Sequence, residues 1–379
     1  MHKALIVGGG SGIGLAMAQE LAKKCHTVVV VDKKNPGSAL PHNVMFQSQD
    51  LLLTDYAWLS EHDDADVLFY SAGFGRVTHF ENLAPKEIEN LFRVNTESAF
   101  RTLHHFMPKL KSGEDFLCAV MVSIAGRISS PLFSMYSASK AALFRGLEAI
   151  NTELKMAGTS NRILEISPGS IKGTSFSGGP TQVERLKELA NAIIDAMTRR
   201  ETLLIPEYES VYKDVLTRYQ DDPEKFASES YDYKIKQGRL QVKPQLTVGY
   251  LSGTFDLFHI GHLNMLRRAR QHCDYLVVGV HKDASHKGKQ TFIPFEERVE
   301  IIRSIKYVDK VIPSEKEDSD VYTKNIVKYD KLFVGSDYKG SERFNRYEEY
   351  FKDKGVEIIY FPYTQGTSST QLREALTKK

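Results

Sequence analysis

Short apolar runs alternating with helical patterns, twice over, constrain this chain more than any other feature. ALIV, TVVVVD, VMFQSQD, DVLFYSAG, FLCAVMVS and RILEISPG punctuate the first part, with helical stretches such as LAMAQELAKKC between them. LTVGYLS, DYLVVGVH, KLFVGS and VEIIYFP repeat the rhythm further on, around HLNMLRRARQH and FEERVEIIRSI. Runs that stay apolar at consecutive positions, such as residues 28–31, suit central parallel strands covered on both faces. Strand, helix and strand in that order imply right-handed crossovers, so the expected fold class is α/β with two doubly wound parallel sheets. A chain of 379 residues is long enough for two such cores. Between them YQDDPEKFASESYDYKIKQGRLQVKPQ (219–245) is polar and poor in apolar periodicity, and reads as a linker with a short packed segment. The first domain is expected over 1–240, including that linker from about 219, and the second over 245–379.

The formal net charge is only +2, with acids and bases mixed throughout, which argues against a nucleic-acid binder. Cys25, Cys118 and Cys273 form neither a disulfide framework nor a zinc pattern, as suits a reducing compartment. The apolar run before the first glycines has four residues, too short for a signal peptide or a membrane span. The expectation is a cytoplasmic protein without membrane insertion.

Two glycine-rich turns carry the chemistry. In the first, VGGGSGIG (7–14), Gly8, Ser11, Gly12, Ile13 and Gly14 lie between a strand and a helix, where a pyrophosphate can approach free N–H groups. Asp32 ends the second strand, placed to accept from ribose hydroxyls or to serve as an ordinary turn residue. Further on, Tyr136 and Lys140 lie four apart on one helical face, and Ser123 precedes them. An ammonium nearby eases proton release from a phenol whose ordinary pKa is about 10.

These residues make 1–177 resemble the short-chain dehydrogenases/reductases. Gly8, Gly12 and Gly14 match the family's TGxxxGxG loop, with Val7 in place of its threonine. Asp50 matches the acid that meets adenine, and Ser71-Ala72-Gly73 the NNAG segment without its asparagines. Asn95, Ser123, Tyr136 and Lys140 match the catalytic tetrad, and Pro168-Gly169 the motif beside nicotinamide, its threonine one residue late at Thr174. The resemblance implies a Rossmann-like fold and NADH or NADPH as cofactor. NADH is favoured because Asp32 repels a 2′-phosphate, although Lys33 and Lys34 pull the other way. It also implies that Tyr136 protonates a carbonyl, Lys140 tunes it and holds a ribose, Ser123 positions the carbonyl, and Asn95 supports a relay water.

The second turn is GTFDLFHIGH (253–262). His259 and His262 flank Gly261 at a helix start after a strand, a position suited to phosphate oxygens. Metal ligation by the pair lacks a third ligand at suitable spacing, and helix capping explains Asp256 and Phe258 but not two histidines. Arg298 near a helix start, Asp337 in GSDYKGSERF, and QGTSSTQLR (365–373) with hydroxyls ahead of Arg373 agree with an anion site. Residues 246–376 thereby resemble the small cytidylyltransferases, most closely those acting on glycerol 3-phosphate. GTFDLFHIGH matches the GTFDxxHxGH signature, KYVDKVIP the YVDEVIP segment and GTSSTQLR the ISTTxIR motif, with Thr367 for isoleucine. The resemblance implies CTP with Mg2+, no metal ligand being assigned. Gly253, Thr254, Phe255, His259, His262, Arg298, Asp337, Thr367, Ser369, Thr370 and Arg373 would line the CTP site. Asp256 would shape it, and Lys287 and Lys289 would be phosphate ligands or solvated loop residues.

Together the halves imply a two-step enzyme. A keto-sugar phosphate, favoured as ribulose 5-phosphate, is reduced to a polyol phosphate, which CTP converts to a CDP-polyol for a teichoic-acid-like or capsular polymer. The alternatives are reduction of dihydroxyacetone phosphate with CDP-glycerol formation, or one catalytic domain beside a nucleotide-binding scaffold. Arg127 and Arg185 are the candidate ligands for the substrate's phosphate, and a homo-oligomer is expected because both families commonly self-associate.

Overall fold

The apolar runs of the first part become strands β1 (Lys3–Val7), β2 (Thr27–Asp32), β3 (Val44–Ser48), β4 (Val67–Tyr70), β5 (Leu117–Met121), β6 (Ile163–Ile166) and β7 (Leu203–Leu204). In the computed structural model they form a seven-stranded sheet in the order β3-β2-β1-β4-β5-β6-β7, parallel throughout. The structure describes residues 1–377 except 38–39, 175–179, 242–245, 284–289, 315–316, 365 and 368. Because side chains alternate along a strand, Ala4, Ile6, Val28 and Val30 enter one core with Met17, Leu21 and Ile193. Leu5, Val7, Val29 and Val31 enter the other with Leu103, Phe106, Leu143 and Leu147. Both faces are thus covered, and the strand order reverses between β1 and β4. Ligands of such sheets bind in the crevice outside the strand C-termini at that switch point.

Most of the stretch read as a linker, from Tyr219 to Lys236, is helical instead. A π-turn (Tyr208–Tyr212) leads into helices Lys213–Asp221 and Pro223–Lys236. The Asp222 carboxylate accepts from Lys225 N at 3.0 Å and Pro223 sits in the first turn, both strong helix-start features. Only Phe226 and Lys234 of that second helix are buried, so it carries almost no apolar stripe.

Chain contacts divide the molecule into Met1–Pro244 and Gln245–Lys379. The second unit holds β8 (Val248–Gly253), β9 (Tyr275–His281), β10 (Lys310–Ser314), β11 (Lys331–Gly335) and β12 (Glu357–Phe361), parallel in the order β10-β9-β8-β11-β12. Its switch point lies between β8 and β11, whose C-termini are Gly253 and Gly335. Both ligand-loop candidates therefore leave the sheet side by side. Among the described residues no helix is long and apolar enough to cross a membrane.

Candidate active sites

In the first unit the turn after β1 is pressed against the segment after β4. A Cβ on Gly8 (φ +90°) would lie 2.3 Å from Ala72 N, and one on Gly14 would lie 2.2 Å from Gly8 O. Only glycine fits either place. Ser71 Oγ donates to Gly8 O at 2.9 Å, so the segment that lacks asparagines still meets the loop through a hydroxyl. Ser11 is the N-cap residue of helix Gly12–Ala22, yet its side chain makes no cap bond, and Ile13 packs on the core. The Asp32 carboxylate accepts from Gly10 N and Lys34 N, each at 2.9 Å, and keeps acceptor capacity for a ribose. Asp50 accepts from Leu52 N at 2.9 Å in a local turn.

The tetrad residues converge beyond this loop. Asn95 is fully buried in the π-turn Arg93–Glu97, where Oδ1 accepts from Phe74 N and Nδ2 donates to Phe74 O, both at 2.9 Å. Such π-bulges recur at functional sites. A Cβ on Gly73 would lie 3.2 Å from Asn95 Oδ1 and 3.3 Å from Lys140 Nζ, so that glycine lets both reach the centre. Ser123 hydrogen-bonds the Tyr136 phenol, accepts from Ala125 N at 3.2 Å, and donates to Pro168 O at 3.4 Å. The Tyr136 ring stacks on Phe133 at 4.2 Å, and Lys140 Nζ donates to Met121 O at 2.8 Å, 5.9 Å from the phenol ring centre. Burial pushes Tyr136 up to about 12, against the opposing pull of the Ser123 hydrogen bond, and burial pushes Lys140 down to about 7. Desolvation, and not the expected easing by the ammonium, therefore dominates the phenol. The phenol holds its proton until something takes it, which suits an acid.

In the second unit His259 caps helix Ile260–Gln271. Its Nδ1 accepts from Gly261 N at 3.0 Å, which leaves the ring proton on Nε2, facing Ser369 Oγ at 3.0 Å. Burial lowers the His259 pKa, so the ring is a neutral donor at neutral pH. The His262 ring lies 4.0 Å from it, stacked on Phe258 at 5.6 Å with Phe255 at its edge. A Cβ on Gly261 would meet His259 Cε1 at 2.7 Å. Phe255 and Leu257 hold φ of +53° and +51°, strain that the surrounding loop must sustain. Thr254 Oγ1 is buried with no hydrogen-bond partner among the described residues, a hydroxyl suited to a ligand oxygen. Asp256 accepts from Phe292 N and Ile293 N and pairs with Arg373, which also donates to Gln290 O at 2.7 Å. Thr367 O faces Gly261, at 3.9 Å from where a Cβ would stand, and Asp337 folds back over Gly335 at the end of β11.

The short chain dehydrogenase family matches residues 2–182, and the cytidylyltransferase-like family matches residues 250–375. Glycerol-3-phosphate cytidylyltransferase of Bacillus subtilis (strain 168) is 38% identical over 129 residues, 33% of this chain and 92% of that protein. The enzyme of the same name from Staphylococcus aureus (strain NCTC 8325 / PS 47) is 38% identical over 135 residues, 34% of this chain and 92% of its own length. An uncharacterized oxidoreductase of Saccharomyces cerevisiae is 28% identical over 229 residues, 54% of this chain and 74% of that protein. A short-chain dehydrogenase from Streptomyces avermitilis superposes with a TM-score of 0.50 at 22% identity, covering 63% of this chain and 99% of its own. One from Burkholderia cenocepacia J2315 in complex with NADP gives 0.51 at 21%, covering 60% and 97%. The chain is a short-chain dehydrogenase joined to a cytidylyltransferase.

Seen as this bifunctional enzyme, the molecule assigns several residues differently from the sequence reading. Arg127 of the dehydrogenase is engaged within the fold: its guanidinium grips both Glu165 oxygens at 2.7 Å and lies over the Phe144 ring. Arg185 is exposed on helix Val183–Thr198, beside Gly173. Pro168 O is held by Ile124 N at 3.0 Å, and a Cβ on Gly169 would fall 1.4 Å from the Tyr212 hydroxyl. Tyr212 and Thr181, whose hydroxyl accepts from Gly12 N at 2.9 Å, are site neighbours that motif matching passed over.

In the cytidylyltransferase Arg298 is fully buried and donates to the carbonyls of Ile293, Thr254, His281 and Lys282. Its guanidinium is thus spent on the backbone of the turns around the GTFDLFHIGH loop. Lys287 and Lys289 lie outside the described residues, as does the Thr370 side chain. Among the described residues no cluster of three or more potential metal ligands occurs. Arg298→Met would leave those carbonyls unsatisfied at a cost of at least about 3 kcal/mol. CTP turnover should then fail at a lower urea concentration than ketone reduction does. An unchanged midpoint with a raised KM for CTP would instead mean direct phosphate contact.

Proposed function

We propose that the dehydrogenase reduces a keto-sugar phosphate, ribulose 5-phosphate in the favoured case, and that the cytidylyltransferase activates the resulting polyol phosphate. The observation that supports this reading is that one chain brings Ser123 and Lys140 to Tyr136 and, separately, His259 to Ser369. The glycine cradle of Gly8 and Gly14 beside Ala72, with the Asp32 carboxylate at its rim, fits a dinucleotide. A reduced nicotinamide held there supplies hydride. Tyr136 gives its proton to the ketone oxygen, Ser123 donates to the same oxygen, and the Lys140 ammonium stabilises the phenolate left behind and holds a ribose. Asn95 keeps the Phe74 backbone, and so the cofactor side of the site, in place.

In the second unit a phosphate oxygen of the polyol attacks the α-phosphorus of CTP, accompanied by Mg2+. The α–β anhydride bond breaks and pyrophosphate leaves. His259 Nε2–H and His262 donate to oxygens whose charge grows in the transition state. Thr254 Oγ1, Ser369 and Arg373 hold the remaining phosphates, and Asp337 is assigned to the base. The relatives named for glycerol 3-phosphate favour a second reading, in which dihydroxyacetone phosphate is reduced and CDP-glycerol is made. In this reading the enzyme works in the cytoplasm as a homo-oligomer and feeds a surface polymer.

Incubating the full chain with NADH, CTP and either ketone phosphate, then weighing the CDP product, tests the scheme. CDP-ribitol supports the first reading, CDP-glycerol the second, and no coupled product refutes both. For the cofactor, Asp32 at the end of β2 should repel a 2′-phosphate more than Lys33 and Lys34 attract one. NADH is therefore expected to give the higher kcat/KM, and a reversed order overturns this assignment.

A further inference from the structure

If the reductase takes a phosphorylated ketone, a cation must lie near its catalytic pair, and the obvious ones are occupied. Arg127 is held by Glu165, and Arg76 by the buried Glu87 at 2.8 Å. Lys234, on helix Pro223–Lys236, is different. It is 7% exposed and, among the described residues, donates to neutral oxygens alone: Ser130 Oγ at 2.9 Å, Pro131 O at 2.8 Å and Ser230 Oγ at 3.1 Å. Arg239 follows just after the end of the same helix, its backbone N donating to Lys234 O at 3.2 Å, and its charge acts on Lys234. No carboxylate among the described residues forms an ion pair with either. Burial and then the Arg239 charge push Lys234 down to about 8. A buried ammonium beside a second cation is costly unless an anion joins them.

The place is also right. Ser130 and Pro131 lie on the stretch between Ser123 and Tyr136. Phe133 N donates to Ser130 O at 3.0 Å, and the Phe133 ring stacks on Tyr136. The same extension brings the Tyr212 hydroxyl against Gly169, beside the Pro168 carbonyl that accepts from Ser123. Its residues thus meet the turns on both sides of the catalytic pair.

We propose that Lys234 and Arg239, with the Ser130 hydroxyl, form an anion subsite that holds the phosphate of a phosphorylated ketone in the reductase. The Ser130 hydroxyl accepts from Lys234 and donates its own hydrogen to a phosphate oxygen. This subsite rests on the keto-sugar phosphate reading above. The test uses the full chain with NADH and compares ribulose 5-phosphate with unphosphorylated ribulose. For Arg239→Gln and Lys234→Met the ratio of kcat/KM between the two ketones should fall roughly ten- to a hundredfold, the loss lying in KM for the phosphate ester. Lys234→Arg should retain most of the ratio. Arg239→Gln leaves the Lys234 bonds in place, so it tests the subsite even if Lys234→Met folds poorly. An unchanged ratio in both variants, or an equal loss on both ketones, overturns the subsite and leaves the reading standing. A wild-type enzyme with no preference for the phosphate ester overturns the reading itself.

Discussion

Tyr136→Phe should slow ketone reduction by about 10²–10⁴-fold while cytidylyl transfer continues at the wild-type rate. The phenylalanine ring keeps the stack on Phe133, and only the hydroxyl shared with Ser123 disappears, so folding should persist. What is lost is the acid. The buried phenol, with its pKa pushed up to about 12, is protonated at neutral pH and waits for the developing alkoxide. Following NADH oxidation and pyrophosphate release in the same preparation separates the two activities. Loss of both with the far-UV spectrum intact would mean that the sites are not independent.

His259→Ala should have the opposite effect, lowering cytidylyl transfer by about 10²–10³-fold and sparing reduction. Two functions of one ring disappear in this variant: Nδ1 no longer accepts from Gly261 N, and Nε2–H no longer points toward Ser369. The first is a capping loss of about 0.5–2 kcal/mol in stability, too small to unfold the unit by itself. The second removes a donor aimed where phosphate charge grows. His259→Asn separates them, because asparagine caps a helix well but cannot place a donor at the Nε2 position. If the asparagine variant recovers full transfer, the ring acts as a cap only and its assignment to the triphosphate fails.

Much of this was legible before any coordinates. Residues 28–31 are apolar without a break because alternate side chains enter two different cores, and that pattern alone demands a sheet covered on both faces. Gly8 and Gly261 mark places where a Cβ would strike Ala72 N or the His259 ring, so their identities speak directly of close approach. Tyr136 and Lys140 share a helical face by spacing. Each of these signals is local, or repeats with a period short enough to be read along the chain.

The rest depends on partners far apart in sequence. Helix Pro223–Lys236 buries only Phe226 and Lys234, so its polar composition hid it, and its docking to Ser130 spans 104 residues. Arg127 looked available until β6 brought Glu165 beneath it, and Arg298 until folding gathered carbonyls from three separate turns around its guanidinium. Burial, which lifts the Tyr136 phenol and depresses the Lys140 ammonium, belongs to the packed interior and not to either residue. Residue types and spacings therefore determined which chemistries this chain carries. Tertiary packing decided which charges are neutralised and which remain to meet a substrate, because desolvation and ion pairing act only once distant segments are brought together.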